Sequence, residues 1–125
     1  MSKKKILIIE DDADLQRTLQ EFLAAEGFDV AGATNGEEGV ALAKSQNPDL
    51  VLLDIILPKK DGYEVLKELK GDEKTKSIPV VLLTNLASPA DIEKAIKLGA
   101  KTYMTKADYK LEEIVRKIKE TLKVM

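Results

Sequence analysis

The chain has 125 residues, the size of one domain, with little room for a second. Its 20 basic and 22 acidic residues give a net charge of −2, which argues against direct binding to a nucleic-acid backbone. Cysteine and histidine are both absent, so disulfides, thiolate or imidazole metal sites and His-dependent catalysis are excluded. No stretch approaches the roughly 20 apolar residues of a membrane span. We therefore expect one soluble, cytoplasmic domain over residues 1–125 that makes no membrane contact.

Five short segments predict β-strands, and helical patterns separate them. The predicted strands are 6–9, 29–33, 50–53, 80–83 and 101–105. The third and fourth are apolar on consecutive positions, which is typical of a parallel sheet covered on both faces. The second is a weak strand, and the fifth is more polar and suits an edge of the sheet.

The intervening helices have readable ends. Asp12 is a predicted N-cap for the first helix, which Gly27 ends. The segment Thr34–Glu37 has the form of a capping box before the second helix. Ser88 followed by proline starts the fourth helix, and Gly99 ends it. The fifth helix shows one apolar stripe, formed by Leu111, Ile114, Val115, Ile118 and Leu122.

The order of elements is therefore strand then helix, five times. Parallel strands need helical crossovers, and right-handed crossovers place helices on both faces of one sheet. We predict the α/β class, as a three-layer α/β/α sandwich of flavodoxin type, (βα)5, with the parallel strand order 2-1-3-4-5. A barrel of eight such units would need a longer chain.

Polar residues follow four of the predicted strands. Glu10 and Asp11 follow the first strand, Asp54 the third, Thr84 the fourth and Lys106 the fifth. In a parallel sheet these positions share the carboxyl edge, and ligands bind where the strand order reverses, between strands one and three. The sequence thus predicts that residues far apart in the chain meet in one crevice.

The charge in that crevice indicates a metal site. Three carboxylates (Glu10, Asp11, Asp54) and the ammonium of Lys106 leave a local charge of −2. Crowded like charges are unfavourable unless a cation lies among them. All the side-chain donors are oxygens, so we expect Mg²⁺ or Mn²⁺ rather than zinc or copper.

Asp54 is the candidate nucleophile, because an aspartate carboxylate can accept a phosphoryl group as an acyl phosphate. Mg²⁺, the Thr84 hydroxyl and the Lys106 ammonium would neutralise the charge of that group. Each residue also has a purely structural interpretation. Acidic residues suit a helix start, an aspartate after a strand often makes a turn, and a single threonine or lysine carries little information. Their joint position at one sheet edge favours the functional interpretation.

At this point the chain resembles the receiver domains of response regulators in two-component signalling. The resemblance rests on four motifs in order: Ile6–Asp12 (ILIIEDD), Asp54–Gly62 (DIILPKKDG), Leu82–Thr84 (LLT) and Tyr103–Lys106 (YMTK). Each motif is weak alone. Together, at these separations, they are specific and cover essentially the whole chain.

The resemblance implies a phosphorylation switch rather than an enzyme that turns over a substrate. Asp54 would receive a phosphoryl group from a histidine kinase or phosphotransfer protein, in a reaction that the domain itself assists. The implied roles are Mg²⁺ binding by Glu10, Asp11, Asp54 and the backbone carbonyl of Ile56, phosphoryl contact by Thr84 and Lys106, and switching by Thr84 and Tyr103. Helix four, strand five and helix five would then present a changed surface to a downstream protein target.

The sequence departs from the family pattern near the site. The family usually has proline after the lysine, often with a cis peptide bond, whereas Ala107 follows Lys106 here. Asn85 replaces the usual small residue after the switch threonine. Ile56 and Leu86 are apolar where family members influence the attacking water, and we expect a longer-lived phosphorylated form.

Two other functions are compatible with the sequence. The first is a degenerate receiver that binds a partner without phosphorylation, which only Ala107 and Asn85 favour. The second is a small metal-dependent phosphohydrolase with Asp54 as nucleophile. It is disfavoured because Ile56 stands where a second acid would be needed and because no cap domain is evident.

Overall fold

The computed structural model describes residues 3–85, 88–106 and 110–123. The five strands are β1 (Lys5–Ile9), β2 (Asp29–Ala33), β3 (Leu50–Leu53), β4 (Val80–Thr84) and β5 (Thr102–Thr105). The five helices are α1 (Ala13–Ala25), α2 (Gly36–Gln46), α3 (Gly62–Gly71), α4 (Pro89–Lys97) and α5 (Leu111–Leu122). Strands and helices alternate along the chain, as predicted.

The strands form one parallel sheet in the order β2-β1-β3-β4-β5. This confirms the predicted α/β class and strand order, with β2 and β5 at the edges. The register pairs Ile9 of β1 with Leu53 of β3, so these two strands end at the same level. The residues that follow them are therefore brought side by side.

The central strands are buried on both faces because the helices form a layer on each side. One core contains Leu7, Ile9, Val51 and Leu53 with residues of α2, α3 and α4. The other contains their sequence neighbours, such as Ile8, with residues of α1 and α5. Alternate side chains of a strand point to opposite faces, which explains why consecutive apolar residues are needed here.

Side chains cap most helix starts close to the predicted positions. Asp12 accepts from the amides of Asp14 and Leu15, which confirms it as the N-cap of α1. Ser88 caps α4, with proline at the first helical position. Gly27 (φ 95°) and Gly99 (φ 115°) adopt the left-handed conformation directly after the C-caps of α1 and α4.

The start of α2 differs from the predicted capping box by one residue. Asn35, not Thr34, is the N-cap, and its side chain accepts from the amide of Glu38. Glu38 in turn accepts from the amide of Thr34 at 2.9 Å. The prediction paired Thr34 with Glu37, but asparagine caps at least as well as threonine and also has an acid three residues later.

Among the described residues, none of the helices is long and apolar enough to cross a membrane.

Candidate functional site

The carboxyl edge of the sheet brings three acidic side chains together. Glu10 and Asp11 follow β1, and Asp54 follows β3. One carboxylate oxygen from each residue lies within 4.8 Å of the other two. Glu10 and Asp54 are buried, whereas Asp11 is exposed. We refer to these three residues as the acidic cluster; the convergence predicted from the strand ends is present.

Lys106 joins the acidic cluster from the end of β5. Its Nζ lies 2.6 Å from Oε1 of Glu10 and 2.6 Å from Oδ2 of Asp54. The side chain of Lys106 is 16% exposed, and those of Glu10 and Asp54 are 3% and 5% exposed. One ammonium is thus shared between two buried carboxylates, and the site keeps a net charge of −2 when Asp11 is included.

Burial raises the pKa of the Glu10 carboxyl above its ordinary value. Hydrogen bonds from Lys106 and from the backbone amide of Asp12 (3.0 Å to Oε2) oppose that shift. The charge of Asp54 adds to it. Two donors, the Asp12 amide and the Lys106 ammonium, therefore contact the Glu10 carboxylate. A second positive charge beside it, in addition to Lys106, would further favour its ionised form.

Burial also acts on Lys106, where it favours the neutral amine, but the two carboxylates outweigh it. Hydrogen bonds to Asp54 and Glu10, together with their charges, hold the pKa of Lys106 above its ordinary value. Lys106 is therefore a permanent cation at neutral pH. It can serve as a fixed positive charge for an anionic group bound to Asp54.

The loop after β3 is fixed by a glycine beneath it. The amide of Gly62 donates to the carbonyl of Ile55 at 2.7 Å. A Cβ at Gly62 would lie 2.4 Å from the Cα of Ile55 and 2.7 Å from the carbonyl oxygen of Asp54. Only glycine allows α3 to start this close to the loop, which holds the backbone of Asp54 in place.

Ile56 lies beside Asp54 at the opening of the site. Its backbone amide donates to Oδ1 of Asp54 at 3.2 Å, so Asp54 has Lys106 on one oxygen and this amide on the other. The side chain of Ile56 is 59% exposed. This exposed apolar side chain is one of the residues that line the cavity around Asp54.

The acidic cluster lines an open cavity of about 320 Å³. Its lining residues are Glu10, Asp11, Asp12, Asp54, Ile56, Asn85 and Lys106. The sequence indicated Asn85 as a residue near the site, but it did not place Asp12 there. Asp12 was predicted only as a helix cap, yet its backbone amide also donates a hydrogen bond to the Glu10 carboxylate. No sequence pattern predicts this interaction.

Thr84 and Tyr103 stand apart from the lining of this cavity. Thr84, the last residue of β4, is 1% exposed and pairs in register with Thr105. Tyr103 pairs with Leu82 and is 43% exposed. The two predicted switch residues thus lie on adjacent strands, one buried and one exposed.

The donor set fits a hard divalent cation. The three carboxylates supply oxygen ligands from close positions, and the cavity is open on one side. Mg²⁺ typically takes one or two carboxylates, keeps several waters and shares a phosphate oxygen. The acidic cluster could hold Mg²⁺ in this way, with room for an anion beside Lys106.

A larger cavity, about 430 Å³, lies elsewhere, between α1 and α5. Phe22 and Val115 form its apolar part, and charged residues of both signs surround them. Among the described residues, its glutamates do not form a group of three that could hold a metal ion. The sequence interpretations of Ala107 and Leu86 concern positions that lie outside the described residues.

Comparison with known proteins identifies the family. Residues 6–119 match the family described as the response regulator receiver domain. The chain belongs to this family, which confirms the resemblance seen in its motifs.

Three similar proteins illustrate the relationship. The DNA-binding dual master transcriptional regulator RpaA of Synechocystis sp. is 39% identical over 95% of the chain and 49% of that protein. A CheY-like receiver domain protein from Methanospirillum hungatei has a TM-score of 0.91 and 30% identity, covering 98% of this chain and 95% of that one. The receiver domain of the sensor histidine kinase PA1611 from Pseudomonas aeruginosa has a TM-score of 0.88 and 28% identity, covering 97% and 98%.

Two details of these proteins bear on the site. The PA1611 structure contains a magnesium ion coordinated in its active site cleft. The chain spans about half the length of the curated relatives it matches.

Proposed function

We propose that this chain is an Mg²⁺-dependent phospho-acceptor domain in which Asp54 takes a phosphoryl group from a histidine kinase or phosphotransfer protein. The observation that carries the proposal is the shared position of Lys106, 2.6 Å from both Asp54 and Glu10, inside an acidic cluster with a surplus of negative charge. The carboxylate of Asp11 also suits the start of α1, but together with Glu10 and Asp54 it completes a set of three oxygen donors within 4.8 Å of one another.

Asp54 acts as the nucleophile in this proposal. One oxygen attacks the phosphorus of a phosphohistidine, the P–N bond breaks, and the imidazole leaves with the electron pair. The amide of Ile56 and the ammonium of Lys106 bond different oxygens of Asp54, and so they orient the carboxylate. Alignment of this kind accounts for much of phosphoryl-transfer catalysis, because little covalent work is left to the protein.

Glu10, Asp11, Asp54 and the backbone carbonyl of Ile56 would hold Mg²⁺. When bound, the ion supplies charge neutralisation for the phosphoryl oxygens. Lys106 is the second positive group: it leaves its present contact with Asp54 and bonds the phosphoryl group. The Thr84 hydroxyl donates to a further phosphoryl oxygen.

The output of the domain is a change in its surface. In the proposed switch, Thr84 moves toward the phosphoryl group and Tyr103 moves inward from its exposed position. Phosphorylation can bias this equilibrium only by stabilising one arrangement over the other. The affected surface consists of α4, β5 and α5, and its partner is a downstream protein.

Several relatives are named transcriptional regulators, and the chain matches about half the length of each. They favour a role in transcriptional control for a protein that contains this receiver domain. RpaA is named as DNA-binding, and the chain matches 49% of its length. With a net charge of −2, the 125-residue chain carries no general attraction for the phosphate backbone. We therefore assign protein contacts, not DNA contacts, to this domain.

Beryllofluoride, a stable mimic of the phosphoryl group, tests the proposal. Backbone chemical shifts are followed during titration with and without Mg²⁺. The expected result is a saturable change centred on Asp54, spreading to Thr84 and Tyr103, that requires Mg²⁺. Mass spectrometry after incubation with a small acyl phosphate should show the gain of one phosphoryl group.

Two variants sharpen the experiment. Asp54→Asn removes the acceptor and should abolish both responses. Asp14→Asn is the matched control, because Asp14 is an exposed aspartate near the same helix start that lies outside both the acidic cluster and the lining of its cavity. A wild-type protein that gives neither response would overturn the proposal and favour a phosphorylation-independent binding domain.

A further inference from the structure

A buried glutamine spans the carboxyl ends of β1 and β2. Gln16, in the second turn of α1, is 6% exposed. Its Nε2 lies 3.2 Å from the carbonyl oxygen of Ile8, 3.2 Å from that of Glu10 and 3.0 Å from that of Ala33. Three backbone carbonyls from two strand ends thus converge on one side-chain amide.

The orientation of this amide is determined by its partners. A flipped amide would place Oε1 against three carbonyl oxygens, which only accept hydrogen bonds. On the other side, Oε1 of Gln16 accepts from Nε2 of Gln20 at 3.0 Å. The Gln20 side chain therefore holds Gln16 with its donors directed at the strand ends.

A glycine in β2 provides the space for the two glutamines. A Cβ at Gly32 would lie 2.3 Å from Nε2 of Gln20 and 2.6 Å from Oε1 of Gln16. Any larger residue would displace both side chains. Glycine is otherwise unfavourable inside a strand, so its presence here has a packing reason.

The bond to Glu10 has the clearest consequence. The carbonyl of Glu10 belongs to the peptide group that joins it to Asp11, so Gln16 fixes the orientation of that peptide. The amide of Glu10 donates to the carbonyl of Ala33 at 3.0 Å. The backbone of Glu10 is thereby held at both its amide and its carbonyl.

We propose that Gln16, oriented by Gln20 across Gly32, is a positioning residue that aligns Glu10 and Asp11 for the divalent cation. The inference rests on the proposed function, because it concerns the same Mg²⁺ site. Gln16 does not touch the cation in this arrangement. It acts through the Glu10–Asp11 peptide, as outer-shell hydrogen bonds do at other metal sites.

The test measures the dissociation constant of Mg²⁺ alone, from the chemical shift of the Asp11 amide, at a temperature where every variant is folded. Gln16→Leu keeps the side-chain size but removes the amide, and should weaken Mg²⁺ binding about tenfold. Gly32→Ala should weaken it in the same direction by displacing the two glutamines. Combining the two changes should add little, because both break the same connection.

Leu19→Val is the matched control. Leu19 lies in the same helix and is 1% exposed, but it packs in the core away from the acidic cluster. This variant should lower stability and leave the Mg²⁺ dissociation constant unchanged. In the metal-free protein, hydrogen exchange of the Glu10 amide should speed up in Gln16→Leu beyond the change in global stability.

The outcomes separate the two proposals. Mg²⁺ binding that is unchanged in Gln16→Leu and Gly32→Ala, with normal binding by the wild type, overturns the role of Gln16 alone. A comparable loss in Leu19→Val also overturns it, because instability would then explain the effect. A wild-type protein that does not bind Mg²⁺ instead refutes the proposed function. If Gln16→Leu does not fold, Gly32→Ala with Gln20→Ala provides the same comparison.

Discussion

Lys106 Nζ lies 2.6 Å from Oδ2 of Asp54, although 52 residues separate them in the chain. The same ammonium is 2.6 Å from Glu10, on a third strand end. One cation therefore links the carboxyl ends of β1, β3 and β5. This arrangement makes Lys106 both a structural partner in the metal-free protein and a competitor for any cation that enters the acidic cluster.

Replacing this lysine should separate those two effects. Lys106→Met keeps the aliphatic stem but leaves Glu10 and Asp54 buried without their ammonium. Removing one partner of a buried ion pair costs about 3 kcal/mol, so the free energy of unfolding in chelator should fall by that order. Mg²⁺ should bind more tightly, because the site becomes more negative and no competing cation remains.

Urea unfolding in chelator and an Mg²⁺ titration measure these changes. Lys101→Met is the control, since Lys101 is an exposed lysine just before β5. Its effect on stability should stay within about 0.5 kcal/mol. Weaker Mg²⁺ binding by Lys106→Met would show that the ammonium does not oppose the cation.

Mg²⁺ should stabilise the folded protein through Asp11. A ligand that binds only the native state adds about 2.7 kcal/mol at a concentration one hundred times its dissociation constant. Asp11 is exposed, so Asp11→Asn should leave stability in chelator nearly unchanged and remove most of the gain from Mg²⁺.

Thermal unfolding with and without Mg²⁺ provides the measurement. Asp14→Asn changes another exposed aspartate of the same region, outside the acidic cluster, and should keep the full Mg²⁺ effect. An equal loss in both variants would indicate general screening of surface charge instead of a site.

The position of Ile56 predicts the lifetime of the phosphorylated form. Its side chain is 59% exposed beside Asp54 and has no polar group to hold a water molecule. Ile56→Asn introduces a donor and an acceptor there, so the acyl phosphate should hydrolyse several-fold faster. The rate is measured as loss of the phosphoryl group after the donor is removed.

Ile96→Asn is the control for this rate. Ile96 is also a large exposed apolar residue, at 42%, but it lies on α4 outside the lining of the site cavity. Its decay rate should equal that of the wild type. A decay in Ile56→Asn no faster than in the wild type would contradict the proposed shielding by Ile56.

The residues at the carboxyl edge of the sheet could be predicted from the sequence, because the apolar pattern shows where each strand ends. Consecutive apolar residues mark buried parallel strands, and the residue after each strand must lie at the carboxyl edge. Glu10, Asp11, Asp54 and Lys106 could be placed together for this reason alone. Their roles in metal binding and phosphorylation remain predictions, because a shared location does not by itself establish a reaction.

Other features depend on side-chain geometry that no periodicity encodes. Lys106 could have contacted either carboxylate, and only the structure shows that it contacts both. Gln16 stands in a helix where a glutamine usually faces solvent, yet it is buried against three carbonyls. The cap of α2 was misplaced by one residue because Thr34 and Asn35 are both good caps with acids three residues later.

Tyr63 should be recognisable by its titration. Its hydroxyl lies 3.3 Å from the carbonyl oxygen of Asp91 and 3.4 Å from Oδ1 of the same residue, and donates to them. The Nζ of Lys94 stands 4.1 Å from the centre of the ring. Burial is the main cause that raises the pKa of Tyr63 above its ordinary value of about 10, and the charge of Asp91 adds to the shift.

The sign of the effect on stability follows from proton binding. Above about pH 10 the unfolded chain loses the tyrosine proton first, while the native state keeps it. The contribution of Tyr63 to stability is therefore complete below that pH and is lost as the pH rises toward the native pKa. In Tyr63→Phe the decline of the free energy of unfolding should be less steep, and the late phenolate absorbance should be missing. Tyr103→Phe, which changes an exposed tyrosine, should retain both the decline and the late signal; a late signal that survives in Tyr63→Phe would assign it to another tyrosine.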